Sequence, residues 1–351
     1  MRFGFERNRG FFGRVAVAVA GAITASVAVI GVLALSASPA AAGPTPDYGI
    51  DFAIIGDPGN RHVNFDEGRR FYPPYAHEGF TVGTVNYKYR MSRTEITVGQ
   101  WLEFVNAYRP YYQGVVFASE FTSDWIVYDN SLGRYRAIAG SENFAANMGW
   151  RYAARFCNWL HNGKVGEQWA FEGGVYDAST FGQDANGNYT DDRTRSADAK
   201  FWIPNLDEWT KAMHWDPDKN DGEGGYWRYP TSSDTRPVAG PPGEGDTNAG
   251  TGLTYNVGAY GHMSPWGLLD GSGGVSEMLQ NGGQNWLYSR GSSWSLSAFA
   301  DEIDSVGTLF PRSSGNGLRL AMVIPAPGGA LLLGTLMTIV ARQRRRQFGN
   351  R

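Results

Sequence analysis

The sequence has few groups for thiol chemistry, because its 351 residues include a single cysteine, Cys157. One cysteine excludes an intrachain disulfide and any metal site built from several thiolates. The sequence also lacks a G-x-S-x-G elbow, a P-loop and a dinucleotide-binding G-x-G-x-x-G, the motifs of the commonest hydrolase and nucleotide-binding classes. Histidines are few, and none forms an H-x-x-x-H or H-x-E arrangement: His62, His77, His161, His214 and His262.

The middle of the chain is short of positive charge. The whole sequence has a net charge of −3, but residues 1–42 contribute +3 and residues 325–351 contribute +5. Residues 43–324 therefore carry −11. Because binding to phosphate backbones requires clustered Lys and Arg, we do not expect nucleic acid to be a partner.

Glycine and aromatic residues are abundant instead, with 47 Gly, 12 Trp and 18 Tyr. The glycines follow no G-x-y period, which excludes collagen, and so many aromatic residues argue against disorder. We expect a globular domain with many loops, whose irregular backbone is held in place by large side chains.

The first 42 residues are typical of a signal peptide. A basic start is followed by an apolar run over residues 15–35, and Ala40 and Ala42 fit the small-residue rule for cleavage after Ala42. The alternative is an uncleaved membrane anchor, because an apolar run of this length can span a bilayer. Both predict that residues 43–324 are exported.

The last 27 residues combine a proline motif, a short apolar segment over 331–340 and a terminal cluster of arginines. This arrangement resembles the PEP-CTERM sorting signal, with Ala326 where that signal usually has Glu. The resemblance implies that an exosortase processes the tail and releases or anchors the protein outside the inner membrane. The alternative is an ordinary C-terminal anchor, with the arginines holding its end on the cytoplasmic side. Both place the core at the cell envelope, at the cell surface or in the medium.

Three segments of the core predict helices. Capping boxes open the first at Thr97 and the third at Asn205. The second runs from about Met148 and is closed by Asn162 and Gly163. Short β-like runs cover residues 86–96, 254–259, 288–294 and 318–324. The pattern predicts an α+β fold rather than an alternating βαβ chain.

Six blocks of the core, taken in order, resemble the formylglycine-generating enzyme (sulfatase-modifying factor) domain family. Residues 89–104 (YRMSRTEITVGQWLEF) are similar to its E-V-T-x-x-x-[FYW]-x-x-F helix, and residues 148–160 (MGWRYAARFCNWL) to its V-x-W-x-x-A-x-x-[FY]-C-x-W helix. Residues 201–212 (FWIPNLDEWTKA) are similar to [FY]-R-L-P-T-E-A-E-W-E-x-A. The remaining blocks are NVGAY at 256–260 with PWGLLDGSGGVSE at 265–277, RGSSW at 290–294 and GLR at 317–319.

The resemblance implies an irregular α+β fold, related to C-type lectins, in a single domain. It divides the chain into a signal peptide at residues 1–42 and an N-terminal extension of the core at residues 43–79. The sulfatase-modifying-factor-like domain then covers residues 80–324, and the sorting signal covers residues 325–351.

The active enzymes of this family use two cysteines after the R-G-G-S block to bind copper and oxidise a substrate cysteine. Leu296 and Asp301 stand at the corresponding positions here. Cys157 falls on one face of the second predicted helix with Trp150 and Ala153, a spacing more typical of a small core residue than of a ligand. We therefore expect no thiol-dependent oxidation, no catalytic residues of that type and no copper.

Related sulfoxide synthases of ergothioneine-type pathways hold iron through three histidines. The histidine spacing here does not reproduce such a set, so we do not expect iron. A set assembled from distant positions stays open as an alternative. In that case the protein would be an oxidoreductase of the formylglycine-generating or non-haem iron type, with metal ligands still to be identified.

Calcium is the metal that we expect. Asp270, Gly273, Val275 and Glu277 match the spacing at which the family binds Ca²⁺ through two side chains and two backbone carbonyls. Gly274 stands where the family usually has Asn. Carboxylate and carbonyl oxygens on a tight glycine-rich turn suit this hard cation.

A second calcium site of the family would fall on Asn248 and Ala249. The alternative for both predicted sites is a polar, glycine-rich loop that binds nothing. The choice between a site and a plain loop stays open for the second site.

Tryptophans supply the remaining functional signal, because all 12 lie within residues 43–324, among them Trp227, Trp266, Trp286 and Trp294. Exposed aromatic faces bind sugar rings and peptides, although most tryptophans pack in cores. The sequence therefore predicts a non-catalytic, calcium-stabilised binding module for a glycan or a surface protein. A further hypothesis is an accessory subunit that binds exported sulfatases without modifying them.

Overall fold

The computed structural model of the protein describes residues 45–68 and 81–324. The predicted signal peptide, the predicted sorting signal and His77 lie outside these ranges. Within them, no helix combines the length and the apolar character that crossing a bilayer requires.

The fold is of mixed α and β class, with several small sheets and much irregular backbone, in agreement with the predicted class. The α-helices are α1 (Val98–Tyr108), α2 (Ser119–Thr122), α3 (Trp150–His161), α4 (Trp169–Glu172) and α5 (Leu206–His214). Short 3₁₀ turns cover Arg109–Tyr111, Ala178–Thr180 and Ala298–Asp301.

Local hydrogen bonds explain where the predicted helices begin. Thr97 Oγ1 accepts from the Gln100 backbone N–H at 3.2 Å, and Gln100 Oε1 accepts from the Thr97 N–H at 3.0 Å. Asn205 and Glu208 form the same reciprocal cap on α5. Both caps satisfy backbone donors that the first helical turn leaves free, so both predictions are confirmed. Helix α3 begins at Trp150, two residues later than predicted, because residues 147–148 form a strand.

The strands are short and come from distant parts of the chain. They are β1 (Phe52–Ile55), β2 (Tyr89–Ser92), β3 (Ile126–Asp129), β4 (Arg134–Ala137), β5 (Asn147–Met148), β6 (Phe201–Trp202), β7 (Trp215–Asp216), β8 (Gly225–Tyr226), β9 (Glu277–Met278), β10 (Leu287–Arg290), β11 (Gly307–Leu309), β12 (Asn316–Gly317) and β13 (Ala321–Met322).

One antiparallel sheet has the strand order β1-β2-β13-β6, with Met91 of β2 opposite both Ala53 and Ala321. Strand β1 lies in the segment 43–79, which therefore contributes an edge strand to this sheet. Strands β3 and β4 form a separate hairpin, and so do β7 and β8.

The second large sheet has the order β11-β10-β9-β12-β5. Within it β9 and β12 run parallel, with Gly317 opposite Glu277. This pairing brings the end of the glycine-rich turn at residues 270–277 against the GLR block at residues 317–319. Two blocks that are 40 residues apart in sequence thus meet at one place in the fold.

Aromatic rings from α1 and α3 fill the centre of the core. The Phe156 ring lies 5.5 Å from Trp101 and 5.6 Å from Phe104, both edge to face. Trp159 lies 6.0 Å from Phe104. Edge-to-face geometry is the favoured arrangement of such pairs, so these rings fix the two helices against each other.

The strand predicted at residues 254–259 is wrong. Only Asn256 of this segment makes a β-bridge, to Phe144. Gly258 has a φ of +72°, and its N–H donates to the Asp270 carboxylate rather than to a neighbouring strand. The other predicted runs contain the shorter strands β2, β10 and β13, although β10 begins one residue earlier than its run.

Candidate functional site

A small pocket lies where the turn at residues 270–277 meets the loop that precedes α1. Its cavity volume is about 10 Å³, and Glu95, Asp270, Asn248, Gly274 and Val275 line its polar side. That volume has room for about one water molecule or one ion. Three of these five residues, Asp270, Asn248 and Val275, belong to the predicted calcium sites, and the structure adds Glu95 and Gly274.

Asp270 enters the pocket from the start of the turn. Its φ of +56° is unusual for a residue other than glycine, and the side chain is 8 % exposed. The Gly258 N–H donates to its Oδ2 at 2.6 Å. Burial raises the pKa of Asp270 to about 6, although this hydrogen bond and the Arg319 charge act in the opposite direction.

Glu95 is more deeply buried, at 1 % exposure. Its Oε1 accepts from the Val275 N–H at 2.7 Å, while its Oε2 has no hydrogen-bond partner among the residues that the structure describes. Burial, together with the charges of Asp270 and Glu277, holds the pKa of Glu95 well above its ordinary value. A buried carboxylate oxygen without a partner is rare in proteins and points to a missing partner.

Glu277 behaves differently, because both its oxygens have partners. Arg319 donates to Glu277 Oε1 from Nη2 at 2.8 Å and from Nε at 3.0 Å. The Trp209 indole N–H donates to Oε2 at 2.6 Å. The remaining Arg319 donors reach the carbonyls of Ser92 and Leu269. Glu277 is therefore the anion of a buried, bidentate ion pair.

The two glycines of the turn make room for the pocket. Gly273 and Gly274 have φ values of +91° and +59°, which side chains disfavour. A Cβ on Gly274 would collide with the Glu95 carboxylate, and a Cβ on Gly273 would collide with the Asn248 side chain. The glycine at position 274 thus leaves the space that the Glu95 carboxylate occupies.

The structure brings the second predicted site to the first. Asn248 Oδ1 accepts from the Gly274 N–H at 2.9 Å, and its Nδ2 donates to the Leu253 carbonyl at 2.8 Å. Ala249 is buried beside it, with its N–H on Thr247 Oγ1. Asn248 thus belongs to the same pocket as Asp270 and Val275.

Aromatic side chains also line the pocket. Trp125, Tyr255 and Trp294 are half-buried, and Tyr260 is buried with its ring 6.0 Å from Tyr255. Of the four tryptophans that the sequence singled out, only Trp294 lies at this pocket.

The positions that correspond to the copper cysteines have other roles. Leu296 faces solvent, whereas Asp301 is 1 % exposed. The Ser292 N–H donates to Asp301 Oδ1 at 2.6 Å, and the hydroxyls of Ser272 and Ser292 donate to Oδ2 at 2.5 and 3.0 Å. Burial raises the pKa of Asp301 to about 7 against these hydrogen bonds. Asp301 ties the turn at residues 270–277 to the RGSSW block.

Cys157 is fully buried in α3. Burial raises the pKa of its thiol far above the ordinary value. Because the thiolate is the form that attacks electrophiles and binds metals, this side chain has the environment of an inert core residue.

The described histidines lie on separate elements. His62 and His262 are in exposed loops, and His262 pairs with Asp246 at 3.0 Å. His161 Nδ1 accepts from the Lys200 N–H. His214 is buried, with Nδ1 on the Trp227 carbonyl and Nε2 at 3.3 Å from Arg290 Nη2. The structure therefore does not bring them together.

The donor set of the pocket fits calcium better than a softer metal. In the ranges that the structure covers, no group of three or more His, Cys, Asp and Glu side chains is arranged to hold a metal ion. The residues that line the pocket include two carboxylic acids, Glu95 and Asp270, and the amide side chain of Asn248. Calcium accepts mixed sets of such neutral and charged oxygens.

Sequence reasoning missed Glu95 and Arg319, which decide the electrostatics of the pocket. Both stand in the blocks that carry the family resemblance. The available signal was a charged residue between apolar ones, and it was present for Arg319, which lies between Leu318 and Leu320, but not for Glu95, which lies between Thr94 and Ile96. Charged side chains in such positions are buried only when paired.

No protein-family model matches this sequence, and no curated protein matches it. Solved structures with a similar fold include CarF, which is 20% identical, with 78% of this chain and 98% of that chain covered and a TM-score of 0.49. Treponema denticola variable protein 1 is 15% identical, with 78% and 95% covered and a TM-score of 0.46. PvdO from Pseudomonas aeruginosa is 14% identical, with 81% and 100% covered and a TM-score of 0.45.

Proposed function

We propose that residues 80–324 form a domain of the formylglycine-generating-enzyme type that binds a ligand without thiol-dependent oxidation. Support for the fold comes from what the six sequence blocks do in this structure. They supply the two capped helices and the buried charged residues Glu95, Glu277, Arg290 and Arg319. Buried charged residues of this kind hold irregular backbone together, and they lie within the sequence blocks.

The buried surroundings of Asp301 are the main support for the functional proposal. At this position, where the copper enzymes have a cysteine, a buried carboxylate is enclosed by Ser272 and Ser292. The other such position, Leu296, faces solvent, and Cys157 is buried in α3. The chain therefore has no reactive thiol to offer to a copper ion or to a substrate cysteine.

The pocket supports binding as the remaining role. The half-buried side chains of Trp125, Tyr255 and Trp294 line it, and aromatic faces contribute large contact areas to ligands. We propose that an extracellular polysaccharide or surface protein is the ligand. Calcium would hold the turn at residues 270–277 and the Asn248 loop in their binding geometry.

The predicted ligands remain candidates for this calcium. Asp270, with the carbonyls of Gly273 and Val275, belongs to the first predicted set, which Glu277 completes. Asn248 and Ala249 would contribute from the second set. The ion would supply positive charge to a pocket that is rich in carboxylates.

We also propose that this domain is exported and that the tail at residues 325–351 is processed by an exosortase. The acidic core and the two basic, partly apolar ends support this arrangement. Both ends would contact the membrane before processing.

Elemental analysis tests the function proposal. The full-length chain, purified in mild detergent without chelators, is expected to contain near-stoichiometric calcium and no stoichiometric copper or iron. A preparation treated with chelator and dialysed is the matched control. Stoichiometric iron or copper, with oxygen consumption in the presence of thiol substrates, would instead establish the oxidoreductase alternative.

A further inference from the structure

A second, open groove lies outside the calcium pocket and shares no lining residue with it. Its cavity volume is about 550 Å³, which falls within the usual range of ligand-binding sites. Three separate segments build it: the start of α2, the loop at residues 184–192 and the loop that follows β11. The side chains that line it include those of Ser119, Glu120, Tyr189, Phe310, Arg312 and Ser313.

Two aromatic side chains stand in this groove. Phe310 is 63 % exposed, and Tyr189 is half-buried. A further exposed ring, Phe117, comes two residues before Ser119 in the chain. Aromatic rings that are grouped at a cavity, unlike single ones scattered over a surface, indicate a contact surface for a ligand.

The polar part of the groove is centred on an ion pair. Arg312 donates to Glu120 from Nε at 3.2 Å and from Nη2 at 3.0 Å. These bonds use two of the five N–H donors of a guanidinium, so the others can reach a ligand. Since the two charges cancel, the lining residues offer hydrogen-bonding groups without a net charge. Such a surface suits a neutral, hydroxylated ligand.

The backbone of the groove offers little to an extended peptide. The Phe310 N–H donates to Ser313 Oγ at 3.2 Å, and the Ser313 N–H donates to the Phe310 carbonyl at 2.8 Å. The Tyr189 N–H donates to Asn285 Oδ1 at 3.0 Å. A peptide that binds as an added strand needs free backbone donors, which these positions do not supply. Recognition in this groove therefore depends on side chains.

The loop that carries Tyr189 is held in place by protein contacts on both sides of this residue. Asn285 Nδ2 donates to Asn188 Oδ1 at 2.9 Å. Arg151 pairs with Asp191 at 2.8 Å and lies over the Tyr189 ring. A groove that is already formed avoids part of the entropy loss of ordering a loop on binding.

We infer that this groove binds a segment of a neutral polysaccharide. A sugar ring has a face of C–H groups, which packs against aromatic rings such as Phe310 and Tyr189. Its hydroxyl groups would bond to the Glu120 carboxylate and the Arg312 guanidinium. The inference rests on the proposed function and deepens it, because it selects polysaccharide over a surface protein and assigns its contact to residues outside the calcium pocket.

Affinity electrophoresis of the full-length chain tests this assignment. The detergent has no sugar headgroup, and the native gels contain dextran, galactomannan or hydroxyethylcellulose. At least one of these neutral polysaccharides should retard the wild-type chain, and Phe310→Ala should weaken the apparent affinity about tenfold. Phe299→Ala is the matched control, because it removes a ring that is 62 % exposed and lies outside the groove. This control should migrate like the wild type.

Arg312→Lys separates binding from stability. The change keeps the positive charge but loses the bidentate geometry, so it should weaken retardation. The melting temperature should stay close to that of the wild type, because exposed ion pairs contribute at most about 1 kcal/mol. Unchanged retardation of both Phe310→Ala and Arg312→Lys overturns the inference, and so does a wild-type chain that none of the three polysaccharides retards.

The pocket and the groove are distinguished by Trp294→Ala, which alters the pocket alone. If Trp294→Ala abolishes retardation while Phe310→Ala preserves it, the groove assignment is overturned and the polysaccharide part of the proposed function stands. The calcium content of the wild-type chain is measured separately, so failure of the calcium part does not affect this result.

Discussion

Two buried carboxylates contact opposite parts of the turn at residues 270–277, and they differ in how far their hydrogen bonding is completed. Glu95 and Asp301 are each 1 % exposed. Asp301 accepts from three donors on Ser272 and Ser292. Glu95 accepts one hydrogen bond, from the Val275 N–H, and its Oε2 has no partner among the residues that the structure describes.

This difference shows that burial of an acid does not by itself mark a binding site. Protein donors complete the surroundings of Asp301, so its role is to join two loops. The hydrogen bonds around Glu95 are incomplete, and a cation is the natural partner for its Oε2. In this structure Glu95, whose hydrogen bonding is incomplete, is therefore a better guide to a binding site than Asp301, whose hydrogen bonding is complete.

Arg319→Met should produce the largest effect, since it would leave Glu277, like Glu95, as a buried carboxylate with incomplete hydrogen bonding. The change removes the bidentate partner of Glu277 and the donors to the Ser92 and Leu269 carbonyls. Breaking one side of a buried ion pair costs about 3–5 kcal/mol. Urea denaturation should show a loss of that size in the free energy of unfolding.

The double variant Arg319→Met with Glu277→Gln is the control. Removing both charges should recover part of the loss, because no unpaired charge then remains. If Arg319→Met alone costs less than about 1 kcal/mol, Glu277 is not held by this pair in the way that the structure indicates.

The sequence predicted the helices well because their signals are local. Both capping boxes join residues three positions apart, so the pattern and the contact are the same stretch of chain. The failed strand at residues 254–259 has the opposite origin. Its Gly258 N–H bonds to Asp270, twelve residues away, and that contact decides the local backbone.

The site was predictable only in part for the same reason. The turn at residues 270–277 and Asn248 were found from family spacing, and the structure places Asp270, Val275 and Asn248 in one pocket. Glu95 meets Val275 across 180 residues of sequence, and Arg319 meets Glu277 across 42. Nothing in local spacing shows that one of these acids is paired and the other is not.

Asp301→Asn should have a smaller effect, visible as a change in pH dependence. Burial raises the pKa of Asp301 from its ordinary value of 3.8 to about 7, so the folded chain binds a proton more tightly than the unfolded chain. The stability contributed by this group is therefore greatest near pH 4 and is lost as the pH rises to about 7. Relative to Asp301→Asn, the wild type should lose on the order of 3–4 kcal/mol across this range.

Chemical denaturation of both chains at a series of pH values measures this difference, with calcium held constant. The calcium affinity of Asp301→Asn should match that of the wild type, which keeps the two buried carboxylates distinct. Parallel pH profiles for the two chains would show that Asp301 does not titrate in this window.

Cys157→Ala should have the smallest effect. It serves as a reference, because Cys157 is buried like Glu95 and Asp301 but is not a carboxylate. The thiol lies in the middle of α3, and its removal leaves a small cavity in the core, at a cost of about 1 kcal/mol. Because burial raises the pKa of this thiol, alkylating reagents should react slowly with the native wild-type chain. Neither the calcium response nor the pH profile should change in the variant. An oxidase activity that disappears with Cys157→Ala would contradict the structural role of this thiol, and the search for a catalytic centre would then move from the pocket to α3.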